Sequence, residues 1–328
     1  MDNLTHTLAG VMLSRAGLNR FAPRATLLLA VAANMPDVDV VSWLGGPLVY
    51  LQYHRWWTHA LALTPLLAVV PALLVWLLER RRASLLWLWL MSLVGVVSHP
   101  LLDYTNVYGI RMLLPFSSSW VRLDTVGVVD LWIWAILLLG LAAPALSRLV
   151  SSEIGARRTP GRGWAWFVLV LVAGYEWGRY VAHGRAIETL EARVYDGRAP
   201  LRTAAFPSAG NPLRWRALVE TDSDFRIYDL DLLGAFDPTR DRRYYKPEPR
   251  PAIEAASRTE PFRVFLNFSP FTLWRVTPPA EPDGPTLVQA FDLRFGEPSS
   301  PGFIAVAEVA PDLKITRSEF TFGRVRPR

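Results

Sequence analysis

Apolar runs of bilayer-spanning length that stop abruptly near residue 183 constrain this chain more than any other feature. A hydrocarbon core of roughly 30 Å takes about 20 helical residues. Segments 61–78, 85–103, 128–150 and 164–182 meet that length with few charges. Two weaker segments, 4–18 and 25–44, precede them, and the second is interrupted by Asn34-Met35-Pro36-Asp37-Val38-Asp39, so it is expected to be a half-span or re-entrant element. After residue 183, charge, proline and short alternating runs take over. The expected architecture is an α-helical membrane bundle of about five to six segments over residues 1–183, followed by a small β-rich extracytoplasmic domain over residues 184–328.

Charge supports that reading. The formal charge is +6, yet Lys occurs only at positions 246 and 314, and no Lys/Arg block is interleaved with aromatics. Nucleic acid is therefore not an expected partner, and the Arg residues read as topology signals and contacts for anionic headgroups. Arg15, Arg20, Arg24, Arg80, Arg81, Arg82, Arg148, Arg157, Arg158 and Arg162 fall in one set of loops, against only Arg55, Arg111 and Arg122 in the other. The positive-inside rule places the first set in the cytoplasm, both termini outside, and the tail on the periplasmic side of an inner membrane. Asp2 stands where a signal peptide has positive charge, and Arg15 comes too late, so the first segment is expected to be retained. The absence of Cys excludes disulfides, thiolate nucleophiles and Cys-type zinc sites.

In the tail, residues 214–220, 225–232, 262–268, 287–295, 303–309 and 318–325 read as strands separated by Pro- and Gly-bearing turns, and suggest a small sandwich or open barrel. No nucleophile motif, phosphate loop or paired-histidine site occurs there.

The chemistry lies earlier. Four of the five histidines, His6, His54, His59 and His99, fall within the first 99 residues, each near acids or hydroxyls. His99 and Asp103 are four apart and share a helix face if the helix continues through Pro100. His54 and His59 are five apart, about 140° around an ideal helix, and converge only if a loop or helix start intervenes. On the expected topology, His6, Asp37, Asp39, His54, His59, His99 and Asp103 all reach the outer leaflet, with Asp124 and Asp130 on the same side as loop and helix-start acids. Ionisable groups at that depth are costly and mark a site. Mixed imidazole and carboxylate donors suit a divalent metal, Zn²⁺ first, with Mn²⁺ or Fe²⁺ as alternatives. Glu176 and Arg179, three apart in the last span, are expected to pair, and His183 reads as a solvated interfacial residue.

Thr5-His6, Pro36-Asp37-Val38-Asp39, His54-Arg55-Trp56-Trp57-Thr58-His59 and Ser98-His99 through Asp103, in that order, resemble the YdjM-type family of membrane-bound, metal-dependent hydrolases over roughly residues 1–180. The resemblance implies a metal site drawn from His6, Asp37, Asp39, His59, His99 and Asp103, with His54 and Arg55 facing substrate or standing behind the ligands. Trp56 occupies a position where the family motif carries Gly. A more distant likeness, to zinc-dependent phospholipase C and P1 nuclease, implies phosphoester chemistry; the second downstream His-x-x-x-Asp of that group is missing, which favours one or two ions over three. In the resulting scheme His6, Asp37, His59, His99 and Asp103 hold the metal, Asp39 takes a proton from water, and Arg55 holds an anionic phosphate, with His54 beside them. The expected substrate is a lipid or lipid-linked phosphoester, and the tail is free to bind a protein partner. Two other classes share these ligands: a non-catalytic assembly protein with a structural metal, and an ion or metal transporter, which calls for midplane acids and paired half-repeats.

Overall fold

The computed structural model describes residues 1–153, 161–279, 281 and 283–323, without the side chains of 144–153. Arg157 and Arg158 of the expected cytoplasmic loop, and Val325 of the last expected strand, lie outside the described residues. The N-terminal part is helical: α1 (Asn3–Arg15), α2 (Ala25–Ala32), a 3₁₀ helix (Met35–Gly45), α3 (Pro47–Tyr53), α4 (Thr64–Leu67), α5 (Val69–Leu78), α6 (Leu85–Thr105), α7 (Leu131–Glu153) and α8 (Arg162–Glu191). Two stretches among the described residues, Leu61–Leu78 and Leu85–Thr105, are long and apolar enough to cross a bilayer. A third is added if α2 and the 3₁₀ helix, bent by 44° at their junction, count as one span. The bend falls at Asn34-Met35-Pro36, where the sequence interrupts its own apolar run. Pro36 lies in the first turn after the bend, where its missing N–H leaves no bond unmade.

Helix α2 is the centre of the bundle, with Leu28, Leu29, Ala32 and Ala33 fully buried. Two glycines let neighbours approach it. A Cβ on Gly95 of α6 would stand 2.8 Å from the Ala32 Cβ, and one on Gly10 of α1 would stand 2.5 Å from the Leu29 carbonyl oxygen. Small residues at helix contacts bring backbones together in lipid, where the hydrophobic effect supplies no association force. Leu66, Val70, Leu77, Leu86 and Trp87 remain exposed on the periphery, the surface that acyl chains would cover.

The C-terminal part holds two four-stranded antiparallel meanders. One contains β1 (Arg202–Pro207), β2 (Arg214–Glu220), β3 (Asp224–Asp231) and β4 (Arg242–Tyr245); the other contains β5 (Thr272–Thr277), β6 (Thr286–Asp292), β7 (Phe303–Val309) and β8 (Ile315–Phe322). Alternation along the strands makes a layered stack. Leu218, Phe225 and Ile227 of the first sheet meet Leu273, Ile304 and Val306 of the second in one core. Trp215, Ala217, Val219, Tyr228 and Leu230 point the other way, onto Ala186 and Leu190 at the end of α8. Val288, Ala290, Ala305 and Ala307 turn towards α9 (Pro251–Ser257) and α10 (Glu260–Phe268), where Ala256, Phe262, Phe265 and Phe268 fill the space above the small alanines.

The two sheets face each other as a sandwich, and neither closes into a barrel. One expected strand is corrected: residues 262–268 lie in α10. Phe262, Phe265 and Phe268 recur every third residue and are all buried, while Arg263 and Asn267 stay exposed, which is a helical face; Thr259 precedes the first turn with extended φ/ψ, and Pro261 sits inside that turn. Strands β1, β4 and β5 are additions to the sequence reading. Helix α8 runs without a break past residue 183, so the membrane-side helix and the first sheet are joined by a continuous element.

The C-terminal part also docks on the N-terminal one. Leu51 of α3 and Tyr108 belong to the core formed by α10 and the second sheet. Arg294, buried and paired with Asp292 at 2.7 Å, donates to the carbonyls of Val107 at 3.0 Å, Tyr108 at 3.3 Å and Phe268 at 2.9 Å. A desolvated guanidinium satisfied in this way ties the loop after α6 to the domain beyond it.

Candidate metal centre

Four fully or nearly fully buried side chains from three chain segments meet behind that loop. His99 and Asp103 come from α6, which does continue through Pro100 and so places both on one face. Asp37 comes from the 3₁₀ helix after the bend. His59 ends a short 3₁₀ turn, Trp57–His59, after the chain leaves α3 in an extended conformation at His54 and passes Arg55 at φ 59°. That break solves the 140° problem posed by the five-residue spacing of His54 and His59.

Five donor–donor distances define the cluster. His59 Nε2 lies 3.1 Å from His99 Nε2, 3.4 Å from Asp37 Oδ1 and 3.4 Å from Asp103 Oδ2. His99 Nε2 lies 3.5 Å from Asp37 Oδ1 and 3.4 Å from Asp103 Oδ2. Bonds of about 2.0–2.1 Å to a tetrahedral Zn²⁺ put its ligands about 3.3 Å apart along each edge. The spacing fits. Two further observations test the fit. Asp37 Oδ1 and Asp103 Oδ2 are buried with no hydrogen-bond partner, a costly state for carboxylate oxygens unless a cation answers them. The histidines also present the correct nitrogens: His99 Nδ1 is 2.7 Å from the Ala33 carbonyl, and His59 Nδ1 is 3.3 Å from Asp39 Oδ2. Each Nδ1 is therefore the protonated nitrogen, which leaves both Nε2 lone pairs facing the cluster.

The remaining expected residues surround these four. Asp39 accepts from the Arg55 backbone N–H at 2.8 Å and from Thr58 Oγ1 at 2.7 Å, and stands 2.7 Å from His54 Nδ1 as well as against His59. Asp37, Asp39 and His54 form a second group whose donor atoms lie close enough to share an ion. His54 is stacked on Tyr50 at 4.4 Å; burial pushes its pKa down against the upward pull of Asp39. His6 stacks on His99 at 3.6 Å, with Nε2 3.5 Å from Asp103 Oδ1, and both its ring nitrogens are buried and unpartnered. It stands beside the four-donor set rather than in it. The α-amine of Met1 also lies against Asp103.

Arg55 points into the bundle. Its guanidinium meets Asp103 Oδ1 at 3.1 Å, Asn106 Oδ1 at 3.2 Å and the carbonyls of Gly109 and Met1 at 3.4 Å each, and it lies 4.7 Å from the Tyr108 ring centre. Its two terminal nitrogens are taken by the protein, while its Nε is buried without a partner. Asn106, which sequence reasoning missed, locks this corner by donating to Asp103 Oδ1 at 3.0 Å while accepting from the Tyr108 N–H at 2.8 Å. Its signal was its place three residues after Asp103, at the C-cap of α6.

The other acids lie elsewhere. Asp130 caps the start of α7 by accepting from the Trp132 and Ile133 N–H groups, and Asp124 pairs with Arg122 at 2.9 Å. The expected Glu176–Arg179 pair is corrected. Arg179 donates to the carbonyls of Thr125 and Pro212 and lies over Trp215, while Glu176 accepts from Thr105 Oγ1 at 3.2 Å. Backbone carbonyls, one from the loop before α7 and one from the neighbouring domain, outcompete the carboxylate one turn away. His183 is half-buried against Trp215 rather than free in solvent.

Known proteins place this geometry in a family. The chain is 28% identical to "Uncharacterized protein YfhP" of Bacillus subtilis (strain 168), covering 98% of this chain and 94% of that protein. Residues 251–323, which hold α9, α10 and the second sheet, match the YfhP C-terminal alpha/beta plait domain. No solved structure matches the chain. Residues 1–186, more than half of the chain and all of the His/Asp cluster, match the family described as YdjM inner membrane protein, and the chain belongs to that family.

Proposed function

We propose that the protein is a membrane-bound, divalent-metal-dependent hydrolase acting on a phosphoester presented at the outer leaflet, such as a lipid or lipid-linked substrate. The observation that carries this reading is a surplus of donors. Four atoms already satisfy the spacing of one Zn²⁺, yet Asp39, His54 and the unpartnered His6 crowd the same volume. Asp39 would serve a structural site by orienting His59, but the second Asp37–Asp39–His54 group and the unpartnered His6 go beyond what one structural ion uses. A bound divalent ion supplies a water of lowered pKa and a Lewis acid for a phosphoryl oxygen. The protein's own groups then divide the work. Asp37, His59, His99 and Asp103 are the holders. Asp39 orients His59 and shares a 2.7 Å hydrogen bond with His54, so this pair would be placed to take a proton from a water held at the site. Arg55 fixes Asp103 and thereby the register of α6 against the outer loop.

One observation favours a second reading. Four protein donors at tetrahedral spacing complete the coordination typical of structural zinc. In that case the metal only staples the bundle, and the C-terminal domain carries the biological role as a binding module. Metal-loaded protein assayed against a panel of phosphomonoesters and phosphodiesters, soluble and micellar, separates the two. Turnover abolished by chelation and restored by Zn²⁺ or Mn²⁺ is the expected result. Full metal occupancy with no turnover on any member selects the structural reading.

A further inference from the structure

A cleft of about 410 Å³ lies between α3, the loop after α6 and α10 of the C-terminal domain. Its walls include Gln52, Trp56, Arg111, Arg263 and Asn267, with Glu260 on the same rim. Arg111 donates to Asn267 Oδ1 at 2.6 Å, and its guanidinium lies 4.7 Å from the Trp120 ring centre and 6.0 Å from that of Trp56. Its Nε is buried without a partner. Neither Arg111 nor Arg263 forms an ion pair among the described residues, and the Arg263 side chain has no hydrogen bond there either. Burial lowers the Arg111 pKa, and the one group that offsets it is the Tyr108 phenol rather than a carboxylate.

Two guanidiniums with no carboxylate partner among the described residues, facing one concave space, make an electrostatic trap for an anion. The planar fork of Arg matches phosphate oxygens two at a time, and an aromatic wall beside it suits the organic part of an ester. The lone acid, Glu260, leaves the cleft with an excess of positive charge. We propose that this cleft is an anion subsite that takes a phosphate mono- or diester group, with Arg111 and Arg263 on the phosphate and Gln52 and Asn267 adding amide contacts. The subsite is built from both domains, since Arg263 and Asn267 lie on α10 and Trp56 and Arg111 on the membrane-side loops.

It is also coupled to the metal centre. The Arg111 N–H donates to the Arg55 carbonyl at 3.2 Å, and Trp56 follows Arg55 directly. The same three residues, 54–56, thus run from the Asp39–His54 pair to the cleft wall. Anion binding does not depend on metal chemistry; only the use of the cleft as a dock for the substrate of that centre rests on the hydrolase reading.

Full-length protein in phosphatidylcholine nanodiscs doped with phosphatidylglycerol, released and weighed by native mass spectrometry, tests the subsite. Wild type is expected to retain phosphatidylglycerol over phosphatidylcholine. Arg263→Glu, at an exposed position, is expected to cut that retention by roughly tenfold or more, the scale of losing a charge-assisted contact, with metal content unchanged. Displacement of the lipid by millimolar inorganic phosphate, or phosphate binding without lipid retention, assigns the site to a free phosphate; retention insensitive to phosphate assigns it to a headgroup. Equal retention of the two lipids with no phosphate binding, or unchanged binding in Arg263→Glu, overturns the subsite. Anion binding in a protein that takes up no metal keeps the subsite and removes the hydrolase.

Discussion

Asp39 shows how much one side chain does here. Its two oxygens meet His54, His59, Thr58 and the Arg55 N–H, so it sets the ring orientation of His59, one of the four residues that could hold an ion, and the course of the loop at once. Asp39→Asn keeps the size and removes the charge and half of the accepting capacity. Metal affinity is expected to fall about 10–100-fold, as for other residues that orient a ligating histidine, while the melting curve of the chelated protein shifts little; a competitive zinc-indicator titration measures it. The residues themselves were legible because ionisable groups are scarce and expensive in apolar segments. Their division of labour was not. His6 and His59 have equally good sequence contexts, yet His59 belongs to the four-donor group that could hold an ion and His6 stacks behind it. Arg55 was expected either on substrate or behind the ligands, and its guanidinium stands against a buried carboxylate and three carbonyl or amide oxygens. Asn106 and Thr58 belong to residue types too common on any surface to stand out.

At the scale of elements, the close contact of α6 with α2 sets the position of His99, because Gly95 lies one turn before it and His99 Nδ1 reaches the Ala33 carbonyl just past α2. Gly95→Leu forces the helices apart. Overpacking of this kind costs about 1–3 kcal/mol, and the centre is expected to lose metal along with stability, read by melting in detergent and by metal content. Gly174→Leu on α8, where an added Cβ meets nothing within 4 Å, is the control and is expected to change neither. The helices around the centre were readable from apolar length, and five strands, β2, β3, β6, β7 and β8, from alternation. Helix α10 was misread because Phe262, Val264 and Leu266 also alternate, and β-branched and aromatic residues are strand-formers; the buried set Phe262, Phe265 and Phe268 shows that the three-residue period won. Short strands such as β4, with little burial, carry no such pattern.

At the scale of the molecule, the inner-membrane family and the two to three apolar spans place the helices in a bilayer, and charge asymmetry proposes which side each loop faces. The docked domain belongs on the side of the centre, since α3, the loop after α6 and α10 share one core. With no Cys in the chain, single-Cys variants report topology without background. Cys at Ser119 or Thr239 is expected to react with an impermeant maleimide in intact cells, and Cys at Arg81 only after permeabilisation. The reverse pattern would invert the topology and move the substrate to the inner leaflet.

Metal content of the detergent-purified protein, by elemental mass spectrometry, tests the centre most directly when wild type is compared with His99→Ala/Asp103→Ala. One to two equivalents of zinc or manganese in wild type, lost in the variant while circular dichroism shows the fold intact, is the expected result. A folded wild type that is metal-free as purified and takes up none on titration would contradict it, leaving two carboxylate oxygens buried against two histidines with nothing to hold them together.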